Sequence, residues 1–564
     1  MIKSFEELSQ ERKQGQAAGL YPDWYTTQAY QMFTAKYAVP GEHGLRDRHR
    51  VIAYTLSRYM PDSKEEWADK FFEIMWKGWF SPASPVLANT GTTRGLPVSC
   101  SGQYIGDSID SFYRNLHESA MLSKHGFGCS AYFGDIRPRG TEISVGGKAS
   151  GTVPVIKDFA MMAANVSQGS QRRGAIASYL PIDHDDFEEL VSYLEQEPDG
   201  VNIGWHISNE FINRLNQGDK DANDRFVRAM YVKLVTGRGY FFFPDKANDL
   251  RPEMYKQLGL DIKATNLCTE ILLHSSEEYT YTCVLSSMNL AKWEEWKDTD
   301  AVFTANVFLD CVVSYFLEKA ENIPGLEKAV AFTEKGRAIG LGVMGFSTLL
   351  QKKSIPFESF EAHQLNQKIF SALQADSELA ARFLANLLGE PEWCKGFGLR
   401  NTHRTAIAPT KSTALLMGGV SECVFPDPGM VFEMGSAAGG MKRISAEFYE
   451  LAKTRGKYTK ELIEDINQHI GSVQHLDWLT EHEKAVFRTA FEVDQEAILR
   501  LASTRQKYLC QGQSLNFFVS EDGDEERIAR LHSKAFLDPN ITALYYIYSR
   551  SGVVINNECL ACAA

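Results

Sequence analysis

From Ser81 onward the chain alternates between short apolar runs and stretches of helical period, and this interleaving most constrains its fold. Ser84-Pro-Val-Leu, Gly126-Phe-Gly-Cys and Pro138-Arg-Gly are apolar pieces broken by Gly, Pro and Ser, the pattern of strands and loops. Residues 206–235 and 301–335 return to a period near 3.6. Between them, Tyr240-Phe-Phe-Phe-Pro has the composition of a buried strand. Residues 443–505 are again mainly helical, and Ala543-Leu-Tyr-Tyr-Ile-Tyr reads as a late strand. Strands and helices mixed along the whole chain predict an α/β fold. The first 80 residues differ. Asp47–Ser57 and Glu65–Met75 carry helical period, which predicts a helical N-terminal region.

A chain of 564 residues with 44% hydrophobic content can bury a large core, and a single α/β barrel can absorb that length. The net charge of −13 argues against a nucleic-acid polymer as partner, because such a grip needs many Lys and Arg facing phosphates. A local pocket for one nucleotide remains compatible with that charge. The N-terminus is charged and lacks an apolar core of the secretory type. No window approaches 18 uninterrupted apolar residues, so no membrane span is expected and the expected location is cytoplasmic. Ten cysteines in that compartment would be mostly reduced. Each is then a buried hydrophobe, a metal ligand or a redox catalyst.

The sharpest motif is Asn266-Leu-Cys268-Thr-Glu270. In an extended segment, residues two apart point the same way, so an amide, a thiol and a carboxylate would face one cavity. Taken alone, the five residues could equally be a polar loop around a buried cysteine. The flanking segments weigh against that: Leu96-Pro-Val-Ser-Cys100 lies upstream and Thr282-Cys283-Val-Leu-Ser-Ser-Met-Asn-Leu downstream.

In this order the three segments resemble the large, catalytic subunit of ribonucleotide reductase, from about Ser81 to the C-terminus. The resemblance implies a ten-stranded α/β barrel over residues 81–552. Two five-stranded halves would be arranged antiparallel, with a central finger loop carrying Cys268. It implies reduction of ribonucleotides, expected as diphosphates, to 2′-deoxyribonucleotides. Cys268 would be the thiyl radical that takes the 3′ hydrogen, with Cys100 and Cys283 as the reducing pair. Glu270 would accept the 3′-OH proton, and Asn266 would hold the ribose hydroxyls.

Ala408-Pro-Thr-Lys-Ser-Thr413 precedes an apolar helical run, so a capped helix start and a phosphate site are both open to it. By resemblance, Pro409, Thr410, Lys411, Ser412 and Thr413 grip the substrate diphosphate. Ser84, Ser99 and Gly128 match substrate-contacting positions, Gly128 by allowing close backbone approach. Asp107, Ser108 and Arg137 resemble the site for a regulatory deoxynucleotide or ATP. Arg172, in the Gly- and Arg-rich segment Ser167–Ala175, resembles the loop that relays the effector's identity to the active site. Tyr545 and Tyr546 are ordinary strand packing by composition. By resemblance they are a radical relay from a metal cofactor held in a separate small subunit, with no cofactor held tightly by this chain.

Cys559 and Cys562 form a terminal Cys-x-x-Cys in a tail, residues 553–564, expected to be flexible. No further zinc ligands lie nearby, and a tail dithiol suits thiol–disulfide exchange. The resemblance gives it thioredoxin or glutaredoxin as partner. A homodimer is also implied. Only about 80 residues precede Ser84, so the N-terminal ATP cone of longer members is not expected. Gly340-Leu-Gly-Val-Met-Gly345 fits a dinucleotide-binding pattern, but no strand pattern precedes it, so these glycines are read as close packing. Cys129, Cys311, Cys394, Cys423 and Cys510 are read as core residues. Three alternatives stand beside this reading: an adenosylcobalamin-dependent reductase, a glycyl-radical anaerobic reductase, and an inactive nucleotide-binding regulator.

Overall fold

The computed structural model describes residues 4–144, 146–166, 168, 174–436, 439–519 and 525–549. The N-terminal region is helical as expected. Helices run over Phe5–Ala17, Thr27–Met32, Leu45–Ser57 and Lys64–Trp76. Ser4 and Glu7 close the first helix with reciprocal side-chain to backbone bonds, which satisfy two otherwise orphaned N–H groups.

The barrel strands follow. They are β1 (Phe80–Pro82), β2 (Cys100–Tyr104), β3 (Cys129–Tyr132), β4 (Ile176–Pro181), β5 (Asn202–His206), β6 (Tyr240–Phe242), β7 (Tyr281–Asn289) and β8 (Ile339–Met344). A hairpin, β9 (Val431–Ser436) and β10 (Gly439–Ile444), stands apart from them. Then come β11 (Phe517–Val519), β12 (Ala543–Leu544) and β13 (Ile547–Ser549).

Strands β2 to β6 are parallel neighbours in chain order, joined through helices such as Ile109–Lys124 and Phe187–Gln196. That is the β-helix-β logic of a parallel sheet. At one seam β7 runs antiparallel to β2; it is parallel to β8 on its other side. At the other seam β12 runs antiparallel to β6. Parallel single bridges, Leu341 to Thr405 and Ile407 to Gln513, continue the circuit from β8 toward β11, which pairs in parallel with β13. Two parallel halves therefore meet at two antiparallel seams, the arrangement the resemblance implied. Among the described residues the expected count of ten is not made up of ten regular strands. Residues 405–407 enter by single bridges, and Pro409 cannot donate to a ladder.

Parallel strands covered on both faces read as continuous apolar runs. In β7 every residue is buried, and in β4 all but the last are. Helix Ala301–Ala320 is long and apolar enough to cross a membrane, but most of it is buried here, packed on helix Phe360–Leu388 and β8. The glycines of β8 serve packing, as read from the sequence. A Cβ on Gly342 would lie 2.5 Å from the Ala406 carbonyl oxygen.

Candidate active site

The seam between β2 and β7 sets Cys100 directly opposite Cys283. Antiparallel partners have Cα atoms about 4.5–5.5 Å apart, a separation a disulfide can span. Both side chains are buried free thiols. Burial pushes the Cys283 thiol well above its usual range, opposed by a hydrogen bond from Gln511. Gln511 Nε2 donates to Cys283 Sγ at 3.5 Å, and Asn266 Nδ2 donates to Cys100 Sγ at 3.3 Å.

The segment carrying Cys268 crosses the barrel without strand pairing. Here the structure differs from the extended alternation predicted. Residues 266–269 form a turn, with Thr269 N–H donating to Asn266 O at 3.1 Å and Thr269 at φ 70°. A loop inside a barrel has no ladder partner, so its backbone groups are met locally and by the wall. Asn266 Oδ1 accepts from Ile271 N–H at 3.1 Å, Gln511 Oε1 from Leu272 N–H at 3.2 Å, and Glu270 O from Gly512 N–H at 2.8 Å. Tyr179 of β4 donates to Asn266 O at 3.0 Å. Cys268 and Glu270 still face the cleft, whereas Asn266 turns its amide onto Cys100.

Tyr545 and Tyr546 occupy the break between β12 and β13. Tyr545 Oη donates to Cys268 Sγ at 3.5 Å. The two tyrosine rings lie 3.9 Å apart at their centroids, tilted by 38°, and both are buried. Lys233, also buried, donates to the Tyr545 and Gly239 carbonyls, the latter at 3.1 Å. Desolvation lowers its ammonium to about 7.

Ser84, Ser99, Cys100, Cys268, Glu270 and the whole run Pro409–Thr413 line one cleft. Helix Lys411–Leu416 starts there without a side-chain cap. The hydroxyl of Thr410 instead accepts from Cys423 N–H at 2.7 Å. The capped-helix alternative is thus not met, and the helix start opens on the cleft.

This chain matches the family model described as "Ribonucleotide reductase, barrel domain" over residues 98–226, 216–393 and 391–547. It matches "Ribonucleotide reductase, all-alpha domain" over 23–95. It belongs to the ribonucleotide reductase large-subunit family. A solved structure of the Actinobacillus ureae class Id ribonucleotide reductase alpha subunit superimposes with TM-score 0.88 at 36% identity, covering 96% of this chain and 99% of that one. A Frog virus 3 protein named as a ribonucleoside-diphosphate reductase large subunit is 33% identical over 88% of this chain and 90% of its own. A vitamin B12-dependent ribonucleoside-diphosphate reductase of Thermoplasma acidophilum is 30% identical over 84% of this chain and 64% of its own.

In this ribonucleotide reductase subunit the other expected positions fall as follows. Asp107, Ser108 and Arg137 line a second pocket. There Arg137 Nε lies 2.5 Å from Asp107 Oδ2, and Ser108 caps helix Ile109–Lys124 by accepting from Ser111 N–H. Gly128 is not among the cleft residues; its backbone bonds to Ser99 and Ser101 one strand away. Arg172, Cys559 and Cys562 lie outside the described residues. Gln168, from the same segment as Arg172, lines the cleft and donates to Arg94 O at 3.1 Å.

Cys510 is a correction. It is half-exposed rather than core, and its sulfur accepts from Arg404 and Thr405 N–H at 2.9 and 3.1 Å. Arg404 and Thr405 turn their N–H groups to that sulfur, whereas the next two, Ala406 and Ile407, donate to the Leu341 and Gly512 carbonyls. Sequence reasoning missed Gln511, Ser514, Tyr179 and Lys233. Ser514 donates to Glu270 Oε2 at 3.0 Å and to Cys268 O. A signal existed for two of them: Gln511-Gly-Gln-Ser514 is a polar run leading straight into an apolar strand. Nothing in the sequence marked Tyr179 or Lys233.

Proposed function

We propose that this subunit reduces ribonucleoside diphosphates by a thiyl-radical route, with the oxidising equivalent delivered from a small metal-containing subunit. The observation that carries this reading is the Tyr545 hydroxyl on the Cys268 thiol, with the tilted Tyr546 ring packed against Tyr545. Oxidation would pass from Tyr546 to Tyr545 and then to Cys268. Helix Lys220–Thr236, which supplies Lys233 to the Tyr545 carbonyl, exposes Val227, Tyr231, Leu234 and Val235 along one side. An apolar stripe of this kind, next to the relay, suits a docked partner.

At the substrate, the Cys268 radical takes the 3′ hydrogen and Glu270 takes the 3′-OH proton. The 2′-OH leaves as water, carrying a proton from the thiol pair. Cys100 and Cys283 together give two electrons and two protons, one proton to the departing water and one to C2′, and end as a disulfide, while Glu270 returns its proton to O3′. Cys268 returns its hydrogen to C3′ and is again a radical. Asn266 orients the site through Cys100, and Ser514 aims the Glu270 carboxylate. Pro409–Thr413 would hold the diphosphate, with Ser84 and Ser99 beside the ribose. Thioredoxin or glutaredoxin, acting through Cys559 and Cys562, would reset the disulfide. A deoxynucleotide or ATP at Asp107, Ser108 and Arg137 would set base preference through the segment of Arg172, in a homodimer.

The 30% identical vitamin B12-dependent relative favours a second reading, in which adenosylcobalamin generates the thiyl radical. One comparison separates the two. Turnover with a ferritin-like partner subunit and none with adenosylcobalamin alone is expected; the reverse result overturns the relay. In either case Cys268→Ser should abolish turnover and leave nucleotide binding intact.

A further inference from the structure

Outside the cleft, among the described residues, one group of side chains has the composition and spacing of a metal site: Asp465, His469 and His475. Asp465 and His469 are one helical turn apart at the end of helix Lys460–Gln468. The chain then reverses through Ile470 (φ 53°) and Gly471 (φ 79°), both left-handed. This turn is rigid. A Cβ on Gly471 would lie 2.6 Å from Gly429 Cα, and Gly471 O accepts from Met430 N–H at 2.8 Å. Val473 and Leu476 are buried with Met430, Val431 and Phe448, so His475 is carried back against the helix end on a packed scaffold.

The two imidazoles stack with centroids 3.6 Å apart at 16°. His475 Nε2 lies 2.7 Å from Asp465 Oδ2. His469 Nδ1 lies 3.3 Å from Asp465 Oδ1 and 2.9 Å from the Asp465 carbonyl oxygen. One ligand atom from each residue falls within 4.8 Å of the other two. His475 Nδ1 is buried without a hydrogen-bond partner. A nitrogen of each ring thus converges on one carboxylate.

We propose that Asp465, His469 and His475 bind a divalent transition-metal ion, Zn²⁺ by donor preference, with water in the fourth position. The ion clips the helix end to the following turn.

The test uses the full chain carrying Cys559→Ser and Cys562→Ser, so that the terminal dithiol does not compete for metal. Titration with ZnCl₂ by calorimetry should give a site weakened at least about tenfold by His475→Ala or by His469→Ala. Zinc should raise the thermal transition of that parent and not of the double variant, the same chain carrying both His469→Ala and His475→Ala. These side chains are partly exposed, and circular dichroism of the metal-free variants should match the parent. Equal zinc affinity in parent and double variant, or no binding by the parent, overturns the site and leaves an Asp465–His475 hydrogen bond only.

Discussion

Cys100 and Cys283 face each other as register partners across the antiparallel seam of β2 and β7. The seam places two thiols from distant parts of the chain within disulfide reach without moving the backbone. A single turnover without external reductant should therefore leave one new Cys100–Cys283 disulfide, read by peptide mass spectrometry under non-reducing conditions. Cys283→Ser should yield no such bond and no deoxynucleotide. Product formation at the parental rate in that variant would remove the pair from the chemistry.

Glu270 and Ser514 should separate base from support. Glu270→Gln should lower kcat by about 10²–10⁴, the usual range for a positioned general base. Ser514→Ala removes one hydrogen bond to that carboxylate. It should cost about 1–2 kcal/mol, roughly five- to thirtyfold in kcat, with little change in KM. Steady-state kinetics with the radical-supplying partner decides both.

Tyr545→Phe keeps the ring stack and loses only the hydroxyl that reaches Cys268. Turnover should fall to background, while substrate affinity measured by calorimetry stays at the parental value. Retained turnover would show that the radical reaches Cys268 by another route.

Lys233 gives a pH dependence of stability. Its folded value of about 7 lies below the unfolded value of about 10.4. Between those values the unfolded chain holds a proton the folded chain has released, so stability rises as pH rises through that window. Below about 7 both states are charged and the burial penalty is constant. Lys233→Met should remove this contribution. Urea midpoints from pH 7 to 10 should climb more steeply for the parent than for the variant.

How much was legible in advance varied with the length scale of the pattern. Tyr240-Phe-Phe-Phe-Pro and the N-terminal helices declared themselves through local periodicity, which depends on neighbours a few residues away. The Asn266–Glu270 motif was found as a string but misread as extended. Its turn, with Thr269 at positive φ, is imposed by crossing a barrel where no strand is available to pair. Cys510 was read as core because cysteine usually is. Its half-exposed place beside Arg404 and Thr405 depends on an irregular segment about a hundred positions away.

By itself the sequence determined the α/β class, through period and order; the three cysteines and the radical chemistry expected of them came from the resemblance that three motifs in order carry. Only the tertiary structure decided that Cys100 meets Cys283 in register, that Tyr545 meets Cys268, and that Gln511, Ser514, Tyr179 and Lys233 hold them there. Those contacts join residues brought together by two antiparallel seams and a loop threaded between them. Non-local pairing of that kind follows from how the barrel closes, and no local pattern encodes it.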